Sequence, residues 1–246
     1  MKKLSLILIA IVVCASSSQA AISYDQNVTP DIIFGDGNAN GSFTIDRANG
    51  VELGLRGKLR YDATGAPQNI FNSNGDGTYT FIAGVAPTKS SPYPEWSFEF
   101  AINTDYDDTS GYMLDDLTYA LQMTSTTGAA GGPYDVINGQ NGDGVVLWDH
   151  AIGNNSTANG AGVSASDAAA YATLIGANNV AQQSWSPNWF VNASFDPEAT
   201  GSYYYTLTAY NGTTQVASTG IEIQVVPEPA TMALLGLGGL LLRKRK

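Results

Sequence analysis

The stretch VELGLRGKLRY, at residues 51–61, constrains the fold more than any other part of the chain. Apolar and charged residues alternate along it, with interruptions only at Gly54 and Gly57. One face carries Val51, Leu53, Leu55, Leu59 and Tyr61, and the other carries Glu52, Arg56, Lys58 and Arg60. Because successive side chains of a strand point to opposite faces, the pattern predicts a β-strand with one packed face and one solvated face.

Shorter runs of the same kind predict that the whole body of the chain is all-β. They lie at 42–46, 78–83, 96–100, 117–123, 145–148 and 221–225. The sequence YYYTLTAYNGTTQVAS predicts a hairpin with a type I′ turn at Asn211-Gly212. Ser166-Asp167 is a candidate cap for one short helix at 168–175. Many short strands, glycine-rich turns and a single helix predict an antiparallel β-sandwich or a jelly roll.

The N-terminus has the three parts of a secretory signal peptide at residues 1–20. Two lysines precede an apolar run, and Ser18-Gln19-Ala20 places small residues before the cut. We expect an apolar signal helix that engages the secretion translocon, and cleavage by signal peptidase between Ala20 and Ala21. The single cysteine, Cys14, lies in this segment, so the mature chain has no thiol chemistry.

The C-terminus predicts a second membrane-directed segment at 227–246. Pro227 and Pro229 bracket Glu228 and separate the apolar run 230–242 from the body, because proline cannot donate a backbone hydrogen bond. The run predicts a hydrophobic helix of about 20 Å, shorter than the ~30 Å hydrocarbon core of a bilayer. Four cations follow it: Arg243, Lys244, Arg245 and Lys246. They are expected to stop transfer and to stay cytoplasmic, while the body at 21–226 is exported.

The order V-P-E-P-A-T, apolar run and basic terminus resembles the PEP-CTERM sorting tail of bacterial exported proteins. The resemblance implies a Gram-negative-type bacterium that makes extracellular polysaccharide. It also implies an exosortase, a membrane protease that cuts near the tripeptide after a transient stay in the inner membrane. The destination is then the cell surface or the extracellular matrix. The body resembles those of uncharacterised PEP-CTERM proteins, which implies no activity.

The charge of the body excludes some partners. Between residues 21 and 226, 21 acidic side chains face five basic ones, a net charge of −16. Such a charge repels nucleic acid and anionic lipid. It makes a divalent cation, with calcium first, a candidate cofactor.

Two acidic segments are candidate calcium sites, although the sequence leaves the metal ligands open. Residues 72–77, NSNGDG, place Asn72, Asn74 and Asp76 at the spacing of a calcium loop, but Ala83 replaces its bidentate glutamate. A glycine-rich hairpin turn is the favoured alternative. The second segment contains Asp105, Asp107, Asp108, Asp115 and Asp116. A solvated loop is the favoured alternative here too.

The sequence predicts no catalysis. Glu95 and Glu99 fall on one strand face, but an unbent strand separates them by about 13 Å, more than the ~5–9.5 Å of glycosidase pairs. His150 is the only histidine, next to Asp149, which excludes a centre with several histidine ligands.

Aromatic and basic residues are the candidates for binding. The aromatic set is Trp148, Trp185, Trp189, Tyr204 and Tyr210. Exposed rings of this kind stack on sugars, whereas core packing is expected for most of them. Arg56, Lys58 and Arg60 either meet an anionic polysaccharide or, as we favour, blunt an edge strand or pair with the body's own acids.

These patterns indicate a non-enzymatic, exported β-sandwich with a structural or adhesive role in the cell envelope or matrix. A carbohydrate-binding module is the first alternative, and a secreted glycosidase is the second. A binding module requires exposed aromatic rings on one surface. A glycosidase requires two carboxylates facing each other across a cleft.

Overall fold

The computed structural model describes residues 21–191 and 195–229, and within these ranges eleven strands form two sheets. The first sheet has six antiparallel strands. In spatial order these are β1 (Ser23–Gln26), β2 (Phe43–Ala48), β3 (Val51–Leu59), β5 (Trp96–Asn103), β9 (Val180–Trp185) and β8 (Ala151–Gly153). The strand predicted at 51–61 is therefore β3, near the middle of the sheet.

The second sheet has five strands. In spatial order these are β4 (Thr78–Ile82), β11 (Thr214–Val226), β10 (Gly201–Asn211), β6 (Thr118–Ser125) and β7 (Gly131–Tyr134). The β4–β11 pair is parallel and the other pairs are antiparallel, so this sheet is mixed. The predicted all-β sandwich is confirmed.

The two sheets pack through a shared apolar core. Phe98 of β5 stacks on Tyr205 of β10 with ring centroids 4.3 Å apart, and Trp96 meets Tyr203 at 5.3 Å. The predicted apolar face of β3, including Leu53 and Leu55, lies in the same cluster. Burying side chains of this size is the main favourable contribution to folding.

The prediction of a solvated outer face on β3 is wrong. Glu52, Arg56 and Lys58 are 1%, 0% and 3% exposed. The chain at 27–42, between β1 and β2, packs over this face and buries it beneath Val28, Ile32 and Phe34. Gly54 permits the close approach, because a Cβ there would lie 2.9 Å from Cγ1 of Val28.

Polar side chains of the first sheet hold the segment at 27–42 in place. Gln182 accepts a hydrogen bond from Ile33 N (2.9 Å) and donates one to Asp31 O (2.8 Å). Glu52 accepts from Thr29 N at 2.7 Å. The outer face is polar and buried because backbone groups of 27–42 satisfy it.

Helices are few, and the predicted one is confirmed. Helix α1 spans Ala168–Ile175, and the Asp167 side chain accepts from Ala170 N at 2.9 Å, which is the expected N-cap. The other helical pieces in the described residues are a 3₁₀ turn at Leu114–Asp116 and α2 at Pro187–Phe190.

Three local predictions on loops and strand ends are corrected. The hairpin loop consists of Gly212 and Thr213, since Asn211 still pairs with Thr214; only Gly212 has a positive φ (59°), so the turn is not type I′. The strand predicted at 221–225 is the end of β11. Residues 145–148 form a loop, because they pair with no strand among the described residues.

The signal peptide at 1–20, the predicted hydrophobic helix at 230–242 and the basic residues at 243–246 lie outside the described residues. Among residues 21–191 and 195–229, no helix has the length and apolar character needed to span a membrane.

Candidate functional site

Three of the five predicted aromatic residues meet in one cleft of about 380 Å³. They are Trp148, Trp185 and Trp189. The cleft lies beside the end of β9 and the edge strand β7, and we call it the aromatic cleft. Its other lining residues are Tyr134, Gln140, Asn141, Gly142, Asp149 and Phe190. Its volume falls in the ~300–1,000 Å³ range of small-ligand sites.

Trp148 and Trp185 form the inner wall of the aromatic cleft. Trp185 ends β9 and packs edge-on against Phe98 and Phe100 of the core. Trp148 donates from Nε1 to Gly139 O at 3.1 Å, which fixes its ring. The two indole rings lie 5.5 Å apart at 43°, so the wall is angular and does not form a flat platform.

Helix α2 places one aromatic ring in solvent and the next in the core. Trp189 is 51% exposed, whereas Phe190 is 5% exposed and lies 5.4 Å from Phe98. Tyr134, which is 43% exposed, meets Phe190 edge-on at 5.2 Å. Two exposed aromatic rings, those of Trp189 and Tyr134, therefore line the cleft.

The loop at 139–149 supplies the polar rim. Asn141 holds the loop closed, because its N and Nδ2 donate to Val145 O and Leu147 O, each at 2.8 Å. Gln183 donates to Asp149 O at 2.8 Å and ties the loop to β9. Amide and carboxylate groups beside aromatic rings are the groups that hydrogen-bond sugar hydroxyls.

His150 lies behind the aromatic cleft and is fully buried. Its ring stacks on Trp148 at 5.8 Å and 3°, and its Nε2 is 2.7 Å from Val136 O. Burial lowers the pKa of the imidazole to about 4, against the opposing effects of the Val136 carbonyl and Asp149. The histidine is therefore neutral at ordinary pH and supports the tryptophans; it does not reach a ligand.

Arg56, Lys58 and Glu99 form a buried ionic cluster on the outer face of the first sheet. Arg56 Nε donates to Glu99 Oε2 at 2.6 Å, and Lys58 Nζ lies 3.3 Å from Glu99 Oε1. Phe43 and Phe71 flank the guanidinium at 4.2 and 3.9 Å. Pairing with the body's own acids is confirmed for Arg56 and Lys58. The edge-strand alternative is wrong, since β3 lies inside the sheet.

The two carboxylates of the candidate glycosidase pair, Glu95 and Glu99, lie in different environments. Glu99 is 0% exposed and is held by Arg56 and Lys58. Glu95 precedes β5, and its carbonyl accepts from Arg60 N and Tyr61 N at 2.7 and 3.0 Å. Neither residue lines the aromatic cleft.

Tyr204 and Tyr210 do not join the tryptophans. Both lie on β10 of the second sheet, where Tyr204 pairs with Glu222 of β11 and is 41% exposed. The sequence reasoning missed Tyr134, Phe190 and Asn141. The run WSPNWF at 185–190 contains a signal for Phe190, since three aromatic residues in six predict a local cluster.

The segment at 72–77 forms a turn. Ser73 pairs with Tyr79, and Asp76 Oδ1 accepts from Thr78 N and Oγ1 at 3.0 and 2.7 Å. Asn74 donates to Thr78 Oγ1 at 2.8 Å. Two of the three side chains with calcium-loop spacing, Asn74 and Asp76, are thus used within the turn itself, as the hairpin alternative expects.

The acidic cluster of the sequence is split between a loop and the 3₁₀ turn. Asp105 Oδ1 accepts from Ser110 N at 2.8 Å, and Asp116 Oδ2 accepts from Met113 N at 2.8 Å. Among the described residues, no group of three or more His, Cys, Asp or Glu side chains is placed to hold a metal ion. Calcium binding stays a prediction.

The tripeptide follows the last strand directly. Val226 of β11 pairs with Ile82 of β4, and Pro227, Glu228 and Pro229 are exposed immediately after it. Burial, and next the charge of Glu228, raise the pKa of Glu95, so the tripeptide leaves the fold near the start of β5.

Comparison with known proteins identifies the tail. The family model of the PEP-CTERM protein-sorting motif matches residues 225–246. No curated protein and no solved structure matches the chain. The match indicates a PEP-CTERM protein that is exported, associates transiently with the membrane and reaches the cell surface, with an exosortase as its processing partner. It covers only the tail and does not bear on the family of the body.

Proposed function

We propose that this protein is a non-catalytic adhesive component of the cell envelope or extracellular matrix of a Gram-negative-type bacterium. Its aromatic cleft binds extracellular polysaccharide. The sorting tail delivers the protein to the surface, and the cleft attaches it to the glycan. This joins the structural role and the carbohydrate-binding role in one molecule.

The observation that carries the proposal is the convergence of three tryptophans and an exposed tyrosine beside a polar rim. Aromatic faces pack on the apolar face of a sugar ring, while Asn141 and Asp149 can bond its hydroxyls. The 43° angle between Trp148 and Trp185 suits a single sugar of a soluble chain better than the flat surface of a crystalline polymer.

The absence of catalysis is part of the proposal. Asp149 is the one carboxylate among the described residues that line the aromatic cleft. Hydrolysis of a glycosidic bond uses two carboxylates, about 5–9.5 Å apart. A cleft with one such group is suited to binding.

Intrinsic fluorescence tests the binding, because three of the chain's four tryptophans line the aromatic cleft. The fourth, Trp96, is 1% exposed in the core. Titration of the secreted protein with exopolysaccharide from the producing cells is expected to change the emission. Trp189→Ala is expected to weaken binding about tenfold, since one stacked ring contributes about 1.5 kcal/mol.

Tyr204→Ala is the matched control, since it removes an exposed aromatic ring of β10 that does not line the aromatic cleft. It is expected to leave the affinity unchanged. Equal affinities for wild type and Trp189→Ala would remove the aromatic cleft as the binding site. Release of reducing sugar during the titration would contradict a non-catalytic role.

Sorting is tested separately from glycan binding. Deletion of Pro227-Glu228-Pro229 is expected to retain the protein in the inner membrane, whereas the wild type loses the residues after the tripeptide and leaves the cell. Intact mass and cell fractionation measure both. An uncut wild type, distributed like the deletion variant, would mean that the tail is an ordinary weak anchor.

A further inference from the structure

A second cleft of about 250 Å³ lies on the outer face of the first sheet, next to the ionic cluster. We call it the cationic cleft. Its polar lining residues are Asn38, Lys58, Arg60, Tyr61, Ser97, Gln183 and Ser184. It is smaller than the ~300–1,000 Å³ of sites for drug-sized ligands, so it suits one sugar residue or a smaller group.

The charge of this cleft is opposite to that of the protein. Arg56, Lys58, Arg60 and Glu99 sum to +2, whereas residues 21–226 sum to −16. Three of the five basic residues of the body are thus gathered at one place, against a single acid. Glu99 pairs with both Arg56 and Lys58, so the place keeps a net positive charge that suits an anion.

Lys58 and Arg60 line the cationic cleft, and each keeps an N–H donor without a partner among the described residues. Lys58 Nζ contacts Asn38 Oδ1 at 2.5 Å and Glu99 Oε1 at 3.3 Å, which leaves one of its three N–H groups. Burial, which outweighs the attraction of Glu99, lowers its pKa. A bound anion opposes that effect.

Arg60 is the half-buried cation of the cleft. Its Nη1 donates to Ser184 O and Oγ at 3.1 and 3.0 Å, and its Nε donates to Tyr61 Oη at 3.2 Å. Its Nη2 donates to none of the residues that the structure describes, and no described carboxylate lies within ion-pair distance of it.

The two clefts meet at one contact. The Arg60 guanidinium lies over the Trp189 ring, 4.9 Å from its centroid. Trp189 lines the aromatic cleft and Arg60 lines the cationic cleft. The two clefts are therefore adjacent, and a glycan that packs on Trp189 extends toward the cations by way of the edge of this ring.

We infer that the cationic cleft binds the carboxylate of a uronic acid residue, which makes the protein selective for acidic polysaccharide. The inference rests on the proposed function, since the aromatic cleft holds the sugar whose carboxylate, or whose neighbour's carboxylate, enters the cationic cleft. The hydroxyls of Ser97 and Ser184 provide further hydrogen bonds to the ring.

NMR titration tests the inference with methyl glycosides of glucuronic, galacturonic and mannuronic acid, each beside its neutral parent. The Trp189 indole N–H reports the aromatic cleft, and the Arg60 Nε–H reports the cationic cleft. At least one uronoside is expected to bind about tenfold tighter than its neutral parent, the size of one charge-assisted hydrogen bond. Arg60→Gln is expected to abolish that preference.

Two variants control for charge. Arg60→Lys keeps the cation and is expected to retain most of the preference. Gln215→Glu, at the exposed hairpin end of β11, makes the same change in net charge as Arg60→Gln and is expected to leave the preference intact. Thermal unfolding verifies that each variant is folded.

The outcomes separate the two proposals. Equal binding of the acidic and neutral glycosides, with a shift at Trp189 alone, would overturn this inference and leave the proposed function standing. Equal shifts of Arg60 by sodium acetate or phosphate would mean a simple anion site and would also overturn it. No shift at either signal with any glycoside would overturn both.

Discussion

The two faces of the six-stranded sheet are both buried, but by different chemistry. The inner face packs rings such as Phe98 against the second sheet, and this packing is not directional. The outer face buries Arg56, Glu99 and Gln182 under residues 27–42 through bonds of defined geometry. The comparison teaches that a polar face is not a solvated face when the chain supplies its own cover. It also shows where surplus charge can serve binding.

The inner face should be the more sensitive to truncation. Phe98→Ala removes a ring that contacts Tyr205, Phe190 and Trp185. We expect a loss of about 4 kcal/mol in the free energy of unfolding, from lost burial and a cavity. Urea denaturation followed by circular dichroism measures it. A loss below about 1.5 kcal/mol would mean that the sheets pack loosely at this point.

The next residue, on the outer face, gives the matched comparison. Glu99→Gln leaves Arg56 and Lys58 buried without their counter-charge, and we expect a loss of about 3 kcal/mol. Replacing all three residues by methionine is expected to restore most of it, since buried ion pairs contribute little beyond an apolar substitute. Urea denaturation of both variants measures this. A triple variant less stable than Glu99→Gln would contradict this view of the cluster.

Acid is expected to destabilise the folded protein through His150, which lies between the inner face and the aromatic cleft. The imidazole has a pKa of about 4 in the folded state and about 6.5 when unfolded. Between these values only the unfolded chain takes up the proton, so stability falls as the pH drops from 6.5 to 4. The loss approaches about 3 kcal/mol at pH 4 and does not grow below it.

Replacement of the histidine isolates this effect from the carboxylates, which titrate in both proteins. His150→Gln is expected to lack this contribution, so the difference in stability between wild type and variant should change between pH 6.5 and 4. Thermal unfolding across the pH range gives these profiles. Parallel profiles for wild type and variant would contradict a neutral, buried His150.

The smallest expected loss of stability concerns residues 27–42, which cover the outer face. Gln182→Ala removes the bonds to Ile33 N and Asp31 O, and we expect a loss of about 2 kcal/mol with faster amide exchange at Ile33. Hydrogen exchange measures this directly. Gln183→Ala, one residue along β9, is the control and should leave Ile33 protected. Unchanged protection in Gln182→Ala would mean that apolar packing alone holds the segment.

The regular elements could be predicted because their determinants are local. Alternation at 51–61 located β3, and Asp167 located the start of α1. The burial of the outer face could not be predicted, because the residues that bond across it are remote in sequence. Gln182 and Asp31 are 151 residues apart. Gly54, which interrupts the alternation, was the one local sign that residues 27–42 pack closely over β3.

The sequence indicated that exposed aromatic residues could form a binding surface, but it did not identify which residues form the aromatic cleft. Three tryptophans of the predicted aromatic set meet in the cleft, yet Tyr204 of the same set lies on β10 and does not line it. Tyr134 enters the cleft from the edge strand β7, and no periodicity marks it. The cations were assigned to a solvated stripe, whereas their meeting with Trp189 depends on the tertiary fold.

A crystal structure of the protein with an acidic oligosaccharide from its own exopolysaccharide tests the central claim most directly. The account predicts a sugar ring packed on Trp189 in the aromatic cleft and a carboxylate within hydrogen-bond distance of Arg60. A sugar bound elsewhere, or crystals in which both clefts hold only solvent at saturating oligosaccharide, would contradict it.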